Sequence, residues 1–143
     1  MDDHIEDIIE KNGFFACTTI GMSMFPMLRN RKDVVIIKPI KRRLHKYDIP
    51  LYKRNHDYVL HRVVKVLDDR YIIIGDNCID KEIVFDNQII GILDYFYRNG
   101  KQIKLNCLGY KLYSKIWVAL YPIRIILMRL KHWCGNIKRK VYK

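Results

Sequence analysis

Apolar positions fall in short runs along this chain, and their spacing changes from helical to strand-like and back. Residues 2–11 place Ile5, Ile8 and Ile9 at i, i+3 and i+4, with Asn12-Gly13 as a stop, which predicts a short amphipathic helix. Residues 14–20 read as a strand entering a turn. After the polar turn from Arg29 to Asp33, Val34-Val35-Ile36-Ile37 is a continuous β-branched run, the mark of a strand covered on both faces. Residues 39–46 form a basic loop. Residues 48–53 read as a further strand, where Pro50 suits an edge or a bulge.

Asn55-His56-Asp57 is a hairpin turn, followed by one long strand over residues 58–67. Asp68-Asp69-Arg70 turns the chain and residues 71–74 return, with no room for a helix between them. Runs at 83–85, 89–93 and 95–97 follow. Asn99-Gly100 is a two-residue turn signal, and residues 102–105 are its return strand. The expected fold is mainly β, a barrel or sandwich of short antiparallel strands with a short N-terminal helix and a C-terminal helical segment. The expected division is a β domain over residues 1–109 and a basic, apolar helical extension over 110–143.

Charge sharpens that division. The chain of 143 residues carries a net charge of +12, yet its first 94 residues balance fifteen acidic against fifteen basic side chains. Everything after Asp94 holds twelve Lys or Arg and no acid. Residues 116–128 are apolar apart from Pro122 and Arg124, with Lys111, Tyr113, Lys115, Arg129, Lys131 and Trp133 at the margins and Lys138-Arg139-Lys140 beyond. That pattern fits a helix lying in an anionic membrane interface, or one packed on the sheet with a solvated basic face. Met1-Asp2-Asp3-His4 is acidic where a signal peptide would be basic, and no run of about 20 apolar residues occurs. No signal peptide and no ordinary span are therefore expected, and the location is cytoplasmic or peripheral to a membrane. Cys17, Cys78, Cys107 and Cys134 lack metal-ligand spacing and read as reduced thiols. No metal, cofactor or nucleic acid is expected.

Three stretches carry candidate chemistry. Gly21-Met22-Ser23-Met24-Phe25-Pro26 puts a serine on a backbone stiffened by proline. Tyr58-Val59-Leu60-His61-Arg62-Val63 puts a histidine in a strand, and Gly75-Asp76-Asn77 is followed by Asp80 and Glu82. A serine in a Gly/Pro turn, taken alone, is usually structural. In this order and separated by strands, the three boxes resemble the signal peptidase I superfamily, in its Ser-His branch of endoplasmic-reticulum and sporulation types. The resemblance covers roughly half the chain, from about Gly21 to Gly91.

That resemblance implies a serine endopeptidase that removes a leader or signal segment from a peptide or preprotein. It assigns Ser23 as nucleophile and His61, in place of the lysine of most bacterial relatives, as general base. Asp76 or Glu82 would complete the catalytic set. Gly21, Met24 and Phe25 are the candidates around the oxyanion and the bound peptide, with the Ser23 N–H as first oxyanion donor. Arg62, pointing away from its neighbour, is expected to be structural. The competing readings are a catalytically silent basic module on anionic membrane or nucleic acid, and a relative of self-cleaving repressors.

Overall fold

The computed structural model describes the backbone of residues 4–141 and the side chains of residues 4–134. Asp2 and Asp3, and the side chains of Lys138, Arg139 and Lys140, lie outside them. The first helix, α1 (Ile5–Asn12), buries Ile9 and stops at Gly13, whose φ of 78° supplies the left-handed cap and whose N–H donates to Ile9 O at 2.9 Å.

The strands are β1 (Phe15–Thr18), β2 (Val34–Lys38), β3 (Pro50–Arg54), β4 (Asp57–Leu60), β5 (Arg62–Val66), β6 (Arg70–Ile74), β7 (Glu82–Phe85), β8 (Ile89–Arg98) and β9 (Lys101–Lys104). They make two antiparallel sheets. The larger runs β1-β2-β8-β3-β4, and the smaller runs β5-β6-β7. β8 is the long central strand: β2 lies on one edge, while β3 and β9 share the other, β3 on its first half and β9 on its second. The fold is thus mainly β, with a helix before the sheets and helices after them. Those are α2 (Leu108–Ala119) and α3 (Tyr121–Val141), broken at Leu120, with Pro122 in the first turn of α3 where its missing N–H costs no bond.

Three details depart from the sequence reading. The stretch 58–67 is not one strand, because β4 ends at Leu60, β5 begins at Arg62, and the chain changes sheet at His61. A regular strand sends successive side chains to opposite faces. The change of sheet gives His61 and Arg62, both buried, two different environments. Of the two settings that suit Pro50, the edge is not found, because β3 lies between β8 and β4; Pro50 is its first residue, and the irregularity is the register shift against β8 between Leu51 and Tyr52. Residues 89–93 and 95–97 are one strand with a bulge at Asp94, whose side chain pairs with Lys38 at 2.6 Å.

Two apolar clusters result. Ile9, Met24, Met27, Leu28, Val35, Ile37, Leu51 and Phe96 fill the larger sheet. Tyr52, Val63, Tyr71, Ile73 and Val84 join the two sheets.

Candidate active site

The serine loop between β1 and β2 is held at its base by polar contacts. Asp33, wholly buried, accepts from Arg29 at 2.7 Å and from Arg98 at 2.7 Å. Arg98 also donates to Met27 O at 2.6 Å, tying the loop to the end of β8. Burial alone would push the Asp33 carboxyl up, but the two guanidiniums outweigh it and bring its pKa down to about 2. Higher in the loop, Gly21 sits at φ 103°, and its N–H donates to Asn30 Oδ1 at 2.9 Å. Met24 is buried in the core, and the Phe25–Pro26 peptide is cis. The Ser23 N–H has no acceptor among the described residues.

The Gly-Asp-Asn box closes against this loop. Asn77 N–H donates to Ser23 O at 2.7 Å. Gly75 is buried at the crossing: a Cβ there would lie 2.7 Å from Ser23 O and 3.0 Å from His61 Nε2. The nucleophile candidate's backbone and the base candidate's ring therefore flank one residue that has no side chain to separate them. The Ser23 hydroxyl is not hydrogen-bonded to His61 in this conformation, a state common before substrate binds.

The other side of the imidazole is defined by two residues. His61 Nδ1 lies 3.1 Å from the Tyr52 hydroxyl, and that hydroxyl donates to Glu82 Oε2 at 3.0 Å. Tyr52 has one proton and gives it to the carboxylate, so the imidazole must donate its Nδ1–H to the tyrosine oxygen. This assigns the tautomer and leaves Nε2 with a free lone pair on the Gly75 side. Glu82 Oε1 also lies 3.6 Å from Nδ1 and accepts from Arg54 at 2.8 Å. Burial pulls the His61 pKa below the ordinary histidine value; the Glu82 charge opposes this and Arg54 reinforces it.

Asp76 faces elsewhere. It takes both forks of Arg62, at 2.7 Å each, in a buried bidentate pair. Arg62 also donates to Ser114 at 2.8 Å and Tyr110 at 3.1 Å, both on α2. Tyr113 donates to Asp76 Oδ2 at 3.2 Å, and Trp117 to Asp76 O at 3.1 Å. From α3, Arg124 donates to Asp76 O, and Tyr121 to Ile79 O at 2.7 Å. The C-terminal helices thus clamp the loop that carries Gly75 and Asn77.

A cleft of about 1040 Å³ opens over these residues, lined by Ser23, His61, Asn77, Cys78, Asp80 and Glu82, with β1, β2 and β4 along its wall and Met128 and His132 of α3 at its edge. Of the residues expected around substrate, Gly21 and Met24 border it while Phe25 lies outside; Gly21 has its N–H occupied, and Met24 serves mainly the core. The sequence reading did not single out Tyr52 or the backbone approach at Gly75. A second cleft, of about 850 Å³, lies between β8, β9 and α2, away from Ser23 and His61. Among the described residues no group of three or more His, Cys, Asp or Glu gathers to hold a metal. Compared with known proteins, the chain matches no family model and no curated sequence.

Proposed function

We propose that this protein is a serine endopeptidase of the signal-peptidase type, cleaving a leader or signal segment from a peptide or preprotein. The observation that carries the reading is the meeting of three distant boxes at Gly75, where a Cβ would touch both Ser23 O and His61 Nε2; the tautomer argued from Tyr52 and Glu82 leaves that Nε2 able to accept a proton. A neutral imidazole held below its ordinary pKa is the working form of a base at neutral pH. The Ser23 hydroxyl turns to Nε2, gives up its proton and attacks the scissile carbonyl carbon. The Ser23 N–H holds the oxyanion. The C–N bond breaks as the imidazolium returns the proton to the leaving amine, and water then hydrolyses the ester by the same route. Glu82, acting on Nδ1 through Tyr52 and its own charge, stabilises the imidazolium. Asp76 holds the Gly75–Asn77 loop through Arg62. The extended substrate lies in the cleft against the strand edges.

The test is mass spectrometry of a peptide library after incubation with the wild-type protein, Ser23→Ala and His61→Lys. Defined internal cleavages made by the wild type alone are expected. Cleavage that persists in Ser23→Ala, or none by any of the three, would overturn the proposal.

A further inference from the structure

The two C-terminal helices have one face committed and one bare. Tyr110, Tyr113, Ser114 and Trp117 turn α2 inward onto Arg62 and Asp76, and Tyr121 and Arg124 do the same for α3 on the loop at residues 76–79. Met128 and His132 continue the inner side of α3 along the cleft. Both helices therefore seat on the same loop, and their opposite faces point away from the protein together.

Those outer faces are apolar. On α3, Ile123, Ile126, Leu127, Leu130 and Trp133 follow helical spacing in one stripe, with Ile126 60 % and Trp133 64 % exposed. On α2, Leu108, Leu112 and Ile116 form a matching row, all exposed. Single exposed apolar residues are ordinary, but eight along one side of two adjoining helices are of the kind that marks a docking surface. Lys111 and Lys115 run beside the α2 row, and Arg129 and Lys131 flank the α3 stripe on either side.

We infer that this face docks on an anionic lipid bilayer, with α2 and α3 lying in the interface plane. Charge selects the occupant. No acidic residue follows Asp94, so a second copy packed stripe to stripe would bring basic margins against basic margins. Anionic headgroups accept the same Lys and Arg while the acyl region takes the isoleucines, leucines and tryptophan. Among the described residues no helix is long and apolar enough to cross a membrane, so the contact is one of lying on the surface. The inference does not depend on the peptidase reading.

Co-sedimentation with vesicles tests it, using phosphatidylcholine alone and phosphatidylcholine with one third phosphatidylglycerol. The full chain is compared with Ile126→Ser/Leu130→Ser and Arg129→Gln/Lys131→Gln, with circular dichroism to confirm that each is folded. The wild type and Ser23→Ala should bind the anionic vesicles equally. The apolar pair variant should lose partitioning about tenfold or more, since two side chains no longer insert. The charge variant should lose severalfold, and salt should reproduce that loss. The inference fails if the wild type stays in the supernatant, or if Ile126→Ser/Leu130→Ser binds as the wild type does. It fails equally if sedimentation equilibrium without lipid shows a dimer that this variant dissociates.

Discussion

Gly75→Ala is the sharpest perturbation of the candidate site, because it adds one methyl where three groups converge. The new Cβ would lie 2.6 Å from Cys78 Sγ, 2.7 Å from Ser23 O and 3.0 Å from His61 Nε2, whereas ordinary contact begins at 3.4 Å. The sulfur can rotate aside and the imidazole can give a little. Ser23 O cannot, since it is backbone and already accepts from Asn77 N–H at 2.7 Å. Either the serine loop or the end of β6 must retreat by about 0.7 Å, on a scale where a 1 Å misplacement costs about a hundredfold in rate. Overpacking of this kind also lowers stability by ~1–3 kcal/mol. The expected outcome is a fall in kcat/KM of about thirtyfold or more, with a lower urea midpoint. Adding Cys78→Ala relieves only the sulfur contact, so the rate should not recover. Steady-state kinetics on a peptide from the library and urea unfolding measure the two effects. A Gly75→Ala protein with wild-type rate and wild-type midpoint would show that Ser23 and His61 do not meet across this residue, and the site would have to be abandoned.

Four further outcomes follow from the contacts of the site and its supports. The rate should rise with pH through one group below the ordinary histidine value of ~6.5, because burial favours neutral His61; Tyr52→Phe, which removes the hydroxyl that bridges Nδ1 and Glu82, should lower kcat about tenfold while moving KM less. Arg62→Met leaves Asp76 buried without its partner and should cost ~3–5 kcal/mol in urea unfolding, a loss that adding Asp76→Asn partly restores; a loss under ~1 kcal/mol would refute the clamp. Asp33, lowered to about 2, contributes stability that is whole above the ordinary aspartate range and is lost as pH falls towards 2, roughly 2 kcal/mol in all, so acid unfolding of Asp33→Asn should show a flattened limb.

Much of the frame was legible because local chemistry and tertiary role agree. Val34 to Ile37 reads as a covered strand and lies between β1 and β8. Asn99-Gly100 reads as a hairpin turn and takes φ 52° and 75°. Gly13 reads as a helix stop and caps α1. The misreadings fall where a residue answers to distant partners. Nothing within residues 58–67 announces that the chain changes sheet at His61, since both halves carry strand residues. Asp94 interrupts an apolar run as a turn residue would, yet it is a bulge whose carboxylate is drawn to Lys38 across the sheet. For residues 110–133, packing on the body and facing a lipid surface looked like alternatives. The helices do pack, on the Asp76 loop, and they leave their other side exposed.

The choice between Asp76 and Glu82 shows most clearly where sequence stops and geometry begins. Both are acids beyond the histidine box, and their spacing from His61 ranks neither. What separates them is the residue next to His61. Arg62 opens β5 opposite Ile74, so its side chain meets the end of β6, where Asp76 follows two residues later. A guanidinium with no exposure needs a carboxylate at bidentate distance, and Asp76 supplies both oxygens. Asp76 is thereby committed to the helix clamp. Glu82 starts β7 opposite Ile73, one strand further on, and reaches the imidazole in two ways, directly at 3.6 Å and through the Tyr52 hydroxyl from the other sheet. Two consecutive side chains, His61 and Arg62, thus divide two acids between them, one for the proposed proton transfer and one for holding the loop. The division depends on a tyrosine in β3 that no motif marks, and it becomes visible only when the chain crosses from one sheet to the other at His61.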